Sequence, residues 1–208
     1  MFTIYTFGDS ILDCGRYNPY GIHPAQLIVR NDDLRFPKFK GRDLSSRGPA
    51  TYIHCAVDGA TVDDLPRQIR GLTVSEPAAA LLTIGGNDLI QGLSGDTGAG
   101  VAAFERQLDE FLQNLPVRPV LLGTVYDPTF GDDRRNFLAT PPEIARQNHQ
   151  RVNAVITRLG QQYGAVVDLH AHFLRGDPSW FTSVIEPSLT GASEVRRAFL
   201  ETILAMPP

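Results

Sequence analysis

The chain is poor in the residues and patterns that would assign it to several broad classes. Its 208 residues include two cysteines, Cys14 and Cys55, and one tryptophan. Two cysteines build no disulfide framework and match no metal-ligand spacing, so they read as free thiols. No apolar run approaches the roughly 20 residues of a membrane-crossing helix. With a net charge of −4 and arginines scattered along the chain, there is no basic block and hence no nucleic-acid footprint. No repeat, low-complexity tract or linker divides the sequence, so one domain over residues 1–208 is expected. The opening "MFTIYTF" reads as a strand and leaves no room for the charged and apolar regions of a secretory leader, so the expectation is a cytoplasmic protein.

Five apolar, β-branched runs read as strands: 2–7, 52–57, 80–84, 118–125 and 164–169. Between the later runs lie segments of helical period. Val101, Phe104, Leu108, Phe111, Leu112 and Leu115 share one face at i, i+3, i+4 spacing. A second helix is predicted to open at "TPPE", with Thr140 as N-cap and Glu143 completing a capping box. Its apolar stripe is Ile144, Val152, Val155, Ile156 and Leu159, and a last helix covers roughly 190–205. Strands alternating with helices imply an α/β protein with a parallel sheet covered on both faces. Residues 17–50 form the exception, a long stretch without periodicity that reads as either a lid or a packed surface loop.

In such sheets reactive groups collect at the carboxyl ends of the strands. The first run ends in Gly8-Asp9-Ser10, the second in "AVDGAT" with Gly59, and the third in "GGNDL" with Asn87. A hydroxyl, a backbone N–H that glycine leaves unobstructed and a side-chain amide are the parts of an acyl-transfer site. Ser10 would attack a carbonyl, and the N–H groups of Ser10 and Gly59 with the Asn87 amide would hold the oxyanion. Asp9 and Asp88 read as helix caps or partners of loop amides. No Gly-x-Gly-x-x-Gly or Walker loop follows the first strand, which argues against a nucleotide binder.

"FGDSILDCG", "AVDGATVDDL" and "IGGNDL", in that order, resemble the first three blocks of the SGNH (GDSL) hydrolase family. The resemblance covers nearly the whole chain. It implies a flavodoxin-like three-layer α/β/α sandwich with a five-stranded parallel sheet, and ester hydrolysis through an acyl-serine without metal or organic cofactor. It also places Ser10 as nucleophile and Gly59 and Asn87 as oxyanion donors, with a small-molecule ester as partner. The family's last block, Asp-x-x-His-Pro, is altered. In "SVIEPSLTG" Ser183 stands in the aspartate's place and Glu186 in the histidine's, while Pro187 keeps the frame.

A serine hydroxyl needs a base within hydrogen-bond reach. Glu186 is the first candidate, provided burial raises its pKa from the usual carboxylate range; the alternative is that it pairs with Arg196 or Arg197. His170 and His172, in "DLHAHF" after the fifth strand, come second, against a role in packing or capping. His23 in the long loop comes third, while His54 reads as packed and His149 as exposed. Trp180 reads as a packing anchor or an acyl-pocket wall. Three functions remain open: an esterase with an atypical base, an acyltransferase using the same serine, and a catalytically silent protein that binds an acylated or anionic ligand.

Overall fold

A computed structural model describes residues 1–206. The described residues contain a five-stranded parallel sheet of β1 (Phe2–Gly8), β2 (Ala50–His54), β3 (Ala78–Thr83), β4 (Val120–Gly123) and β5 (Gly164–Val167), in the order β2-β1-β3-β4-β5. This is the flavodoxin-like order. The helices are α1 (Pro24–Val29), α2 (Leu65–Gln68), α3 (Gly86–Ile90), α4 (Ala99–Asn114), α5 (Pro142–Tyr163), α6 (Leu169–Phe173) and α7 (Leu189–Ala205). A two-stranded antiparallel ribbon of β6 (Phe181–Thr182) and β7 (Glu186–Pro187) precedes α7.

The two-residue period of the strands divides the core between the faces of the sheet. Tyr5, Phe7, Ala80 and Leu82 bury one face against Phe104, Leu108, Val152 and Ile156 of α4 and α5. Ile4, Ala79, Leu81 and Leu121 bury the other against Ile28 of α1 and Val195 and Phe199 of α7. The central strands are largely apolar because both of their faces are covered, with Thr3, Thr6 and Thr83 as buried exceptions.

Several local expectations are corrected. β2 begins two residues earlier than expected, because Ala50 and Thr51 pair with Phe2 and Thr3 of β1. Thr140 does not cap α5. Its hydroxyl shares a 2.9 Å hydrogen bond with that of Ser94, Pro141 takes the N-cap position and the helix begins at Pro142. Ile144 therefore sits in the exposed first turn rather than in the buried stripe.

Residues 17–50 form a crossover that packs in part on α7. Pro24–Val29 is helical with Ala25, Leu27 and Ile28 buried, and α1 lies against α7. Arg196, wholly buried in α7, donates to Asn31 Oδ1 at 2.9 Å and lies 3.5 Å over the Phe39 ring. The crossover thus brings its first residues to the carboxyl edge of β1 while its later ones are pinned to α7.

Candidate active site

The turn after β1 is clamped from both sides. Gly8 has φ +107°, and a Cβ there would fall 1.7 Å from the Thr83 carbonyl oxygen. Only glycine lets β1 leave so close to β3. Gln68 donates to the Gly8 carbonyl and accepts from its N–H at 2.9 and 2.7 Å, and the Asp9 N–H donates to the Thr83 carbonyl. Asp9 Oδ1 accepts from the Thr83 hydroxyl at 2.8 Å and the Ile11 N–H at 3.1 Å. Burial pushes the Asp9 carboxyl up to about 7, against the opposing pull of those two donors. Ser10 follows at the cavity wall, its residue 7 % exposed.

The loops after β2 and β3 meet across this turn. Asn87, in the first turn of α3, donates from Nδ2 to the Ala60 carbonyl at 3.0 Å, so the amide is held by the loop that carries Gly59. One Nδ2 proton remains free. Asp88 accepts from the Val62 N–H at 3.1 Å and is pushed up to about 6, chiefly by burial. Gly59 has φ +81° with no heavy atom within 4 Å of the Cβ position. Within the described residues, neither the Ser10 N–H nor the Gly59 N–H donates an internal hydrogen bond.

Glu186 reaches the same place from β7. The turn that delivers it has φ +46° at Ser183 and +75° at Val184, and the Tyr126 hydroxyl donates to the Ile185 carbonyl at 2.6 Å. Glu186 is 8 % exposed, and its shielded Oε2 has no hydrogen-bond partner. Burial raises the Glu186 pKa and the charge of Asp58 adds to the rise. The Ser10 hydroxyl, the Tyr17 phenol and Arg16 pull it down, and the net shift is upward. The ion pair with Arg196 or Arg197 does not form. Arg197 binds Glu194 at 2.9 Å, and Arg196 is committed to Asn31, Ser193 and Phe39.

His172 and His170 turn to other partners, while His149 lines the cavity beside Ser10. His172 Nε2 is 3.0 Å from Glu194 Oε2, and its ring packs on Trp180. His170 lies in a second, polar cavity with Thr124, Asn153 and Asp168, its ring against His149. His149 is half-buried rather than exposed, because Nε2 bonds the Val125 carbonyl at 2.7 Å. Trp180 is a packing anchor against Phe173. Three site residues, Arg16, Tyr17 and Asp58, escaped the sequence reading. Tyr17 donates to Asp58 Oδ2 at 2.9 Å, and Arg16 binds the same oxygen at 2.9 Å. Asp58 adjoins Gly59, the one signal that would have singled it out.

A cavity of about 120 Å³ opens beside Ser10, lined by Ile11, Leu89, Val125, Tyr126, Phe137 and Leu138. Asn87, Asp127 and Arg146 also line it. The arrangement offers a hydroxyl, three hydrogen-bond donors, a carboxyl of raised pKa and an apolar recess.

Residues 6–191 match the model of the GDSL-like lipase/acylhydrolase family, and the chain belongs to that family of hydrolases. No curated protein matches the chain. Among solved structures, a lipase/acylhydrolase from Enterococcus faecalis is 20% identical with a TM-score of 0.69, the match covering 98% of this chain and 95% of that one. An acetylxylan esterase from Geobacillus stearothermophilus is 19% identical with a TM-score of 0.68, covering 99% and 94%. A lipolytic protein of the G-D-S-L family from Veillonella parvula is 18% identical with a TM-score of 0.65, covering 99% and 100%. At these identities the likeness is one of fold. Among the described residues no helix is long and apolar enough to cross a membrane.

Proposed function

We propose that the protein hydrolyses small carboxylic esters through an acyl-Ser10 intermediate, with Glu186 as general base and residues 1–208 acting as one domain. The observation that carries this reading is the position of Glu186. A buried carboxyl with a raised pKa faces the Ser10 hydroxyl, and its Oε2 is unpartnered.

In this mechanism Ser10 Oγ attacks the ester carbonyl as its proton passes to the Glu186 carboxylate. The Ser10 N–H, the Gly59 N–H and the second Asn87 Nδ2 proton hold the oxyanion. Collapse of the tetrahedral species breaks the bond to the alcohol, which leaves with the proton from Glu186. Water then attacks the acyl-serine, giving its proton to Glu186, and the carboxylic acid departs as Ser10 regains its hydrogen. The work divides by environment: the raised pKa makes Glu186 a stronger base than an exposed carboxylate, while the Ser10 hydroxyl, the strongest opposing influence, limits the rise. The apolar recess fits a short hydrocarbon acyl or alcohol group better than a sugar. In this the reading departs from the acetylxylan esterase among the structural neighbours.

The test is covalent labelling by a fluorophosphonate together with hydrolysis of p-nitrophenyl esters. Labelling at Ser10, and loss of both signals in Ser10→Ala, are expected. A folded protein that neither labels nor turns over would instead be a binding protein on the same fold.

A further inference from the structure

We propose that Asp13, His23 and His54 form a binding site for one divalent transition-metal ion of the zinc class, separate from the ester chemistry. The three come from the turn after Ser10, the N-terminal boundary of α1 and the end of β2. Their ligand atoms lie within 4.8 Å of one another. Asp13 Oδ1 is 3.1 Å from His54 Nε2 and 3.5 Å from His23 Nδ1. In a tetrahedral zinc site with bonds of about 2.0–2.1 Å, neighbouring ligand atoms stand about 3.3 Å apart. These two edges bracket that spacing.

A cation would take the place of two existing contacts, His54 Nε2 on Asp13 Oδ1 at 3.1 Å and the Gly15 N–H on His23 Nδ1 at 3.2 Å. Asp13 Oδ2 accepts the Asp58 N–H at 2.9 Å, which orients the carboxylate and leaves Oδ1 for a cation. His54 Nδ1 is 2.8 Å from the Thr6 hydroxyl. With its proton given to that oxygen, Nε2 presents a lone pair, the outer-shell arrangement that fixes a metal-binding tautomer. His23 Nδ1 accepts the Gly15 N–H at a long 3.2 Å, so it carries no proton. Its other neighbour, Asp13 Oδ1, is also an acceptor. Two facing acceptors repel, and a cation taking over the Nδ1 lone pair turns both into ligands.

Gly15 makes the room, since a Cβ there would come within 2.6 Å of the His23 ring. All three ligands are half-buried, which leaves a path for the ion and for a water at the fourth position. Two imidazoles and one carboxylate suit zinc and its neighbours rather than magnesium or calcium, which take all-oxygen sets. The ligands are 10 and 41 residues apart, too far for spacing to reveal them. Bound metal would clip the start of the crossover to the edge strand and to the Ser10 turn.

Calorimetric titration of chelator-treated protein with zinc tests this. One ion per chain is expected, with a rise in the thermal midpoint. His23→Ala and His54→Gln should each abolish both effects, while the His149→Ala/His170→Ala double variant keeps them. If the single variants fail to fold, cobalt(II) added to the unaltered protein should broaden the imidazole NMR signals of His23 and His54 first. Absence of binding to the unaltered protein, binding that survives both single variants, or broadening centred on His149 and His170 would each overturn the proposal.

Discussion

The Glu186 carboxyl stands at the balance of two pulls, and its net rise in pKa sets what Ser10 can do. A base acts only in its ionised form, so turnover should climb with pH through the raised pKa of Glu186, above the ordinary carboxylate range. In Glu186→Gln that limb should vanish from the pH–rate profile. Activity should fall toward the roughly 10³–10⁴ over water that an oxyanion site retains without its base. An unchanged profile would move the base elsewhere. The Asn87 amide has a different task, since it stabilises charge and moves no proton. Asn87→Ala should therefore lower kcat by roughly 10²–10³ with the shape of the pH profile preserved. The Asn87 side chain is half-buried and its loss takes one bond to Ala60, so circular dichroism should report an intact fold.

The β6–β7 ribbon shows how a short element carries the geometry of the site. Its turn forces Val184, a β-branched residue 64% exposed, into the left-handed region at φ +75°. Such a conformation costs on the order of 1–3 kcal/mol. Packing offsets little of that, because the side chain faces solvent, so the strain is held by the ribbon pairing and by the Tyr126 bond to Ile185. Val184→Gly removes the strain while loosening the unfolded chain, which reduces the gain. The expected outcome is a protein about 1 kcal/mol more stable to urea with esterase activity retained. Lower stability would mean that Val184 packs in a way its exposure does not show.

For the molecule as a whole, the buried acids at the sheet's carboxyl edge link stability to pH. Burial holds the Asp9 carboxyl up at about 7 in the fold, against an ordinary value of 3.8. The folded state therefore binds this proton more tightly than the unfolded state does. The stabilisation from protonated Asp9 is full below about pH 4, declines as pH rises and is gone above about pH 7. Asp88, raised to about 6, acts in the same direction. Asp9→Asn keeps an oxygen that can accept from Thr83 and Ile11 and removes the charge. Thermal midpoints of this variant should exceed those of the parent at pH 8, with a flatter profile between pH 4 and 7. A parallel profile would remove Asp9 as the source of the dependence.

Periodicity alone determined much of this protein. Strands buried on both faces are largely apolar, and helices packed on a sheet are apolar on one stripe, so β1, β3, α4 and α7 were legible as elements. Glycines at strand ends were legible for the same reason, because Gly8, Gly59 and Gly85 occupy left-handed backbone that other residues rarely adopt. Tertiary structure decided what depends on residues distant in sequence. Thr140 has the spacing of a capping box, yet its hydroxyl finds Ser94 once α5 is docked. The crossover shows no period because the stretch after its short helix is held by Arg196, more than 150 residues away. Tyr17, Asp58 and Glu186 face one another, and Asp13, His23 and His54 converge, only when loops from separate strands meet at one sheet edge. Hydrophobic pattern is a property of neighbours along the chain, whereas a pKa or a ligand set depends on neighbours in space.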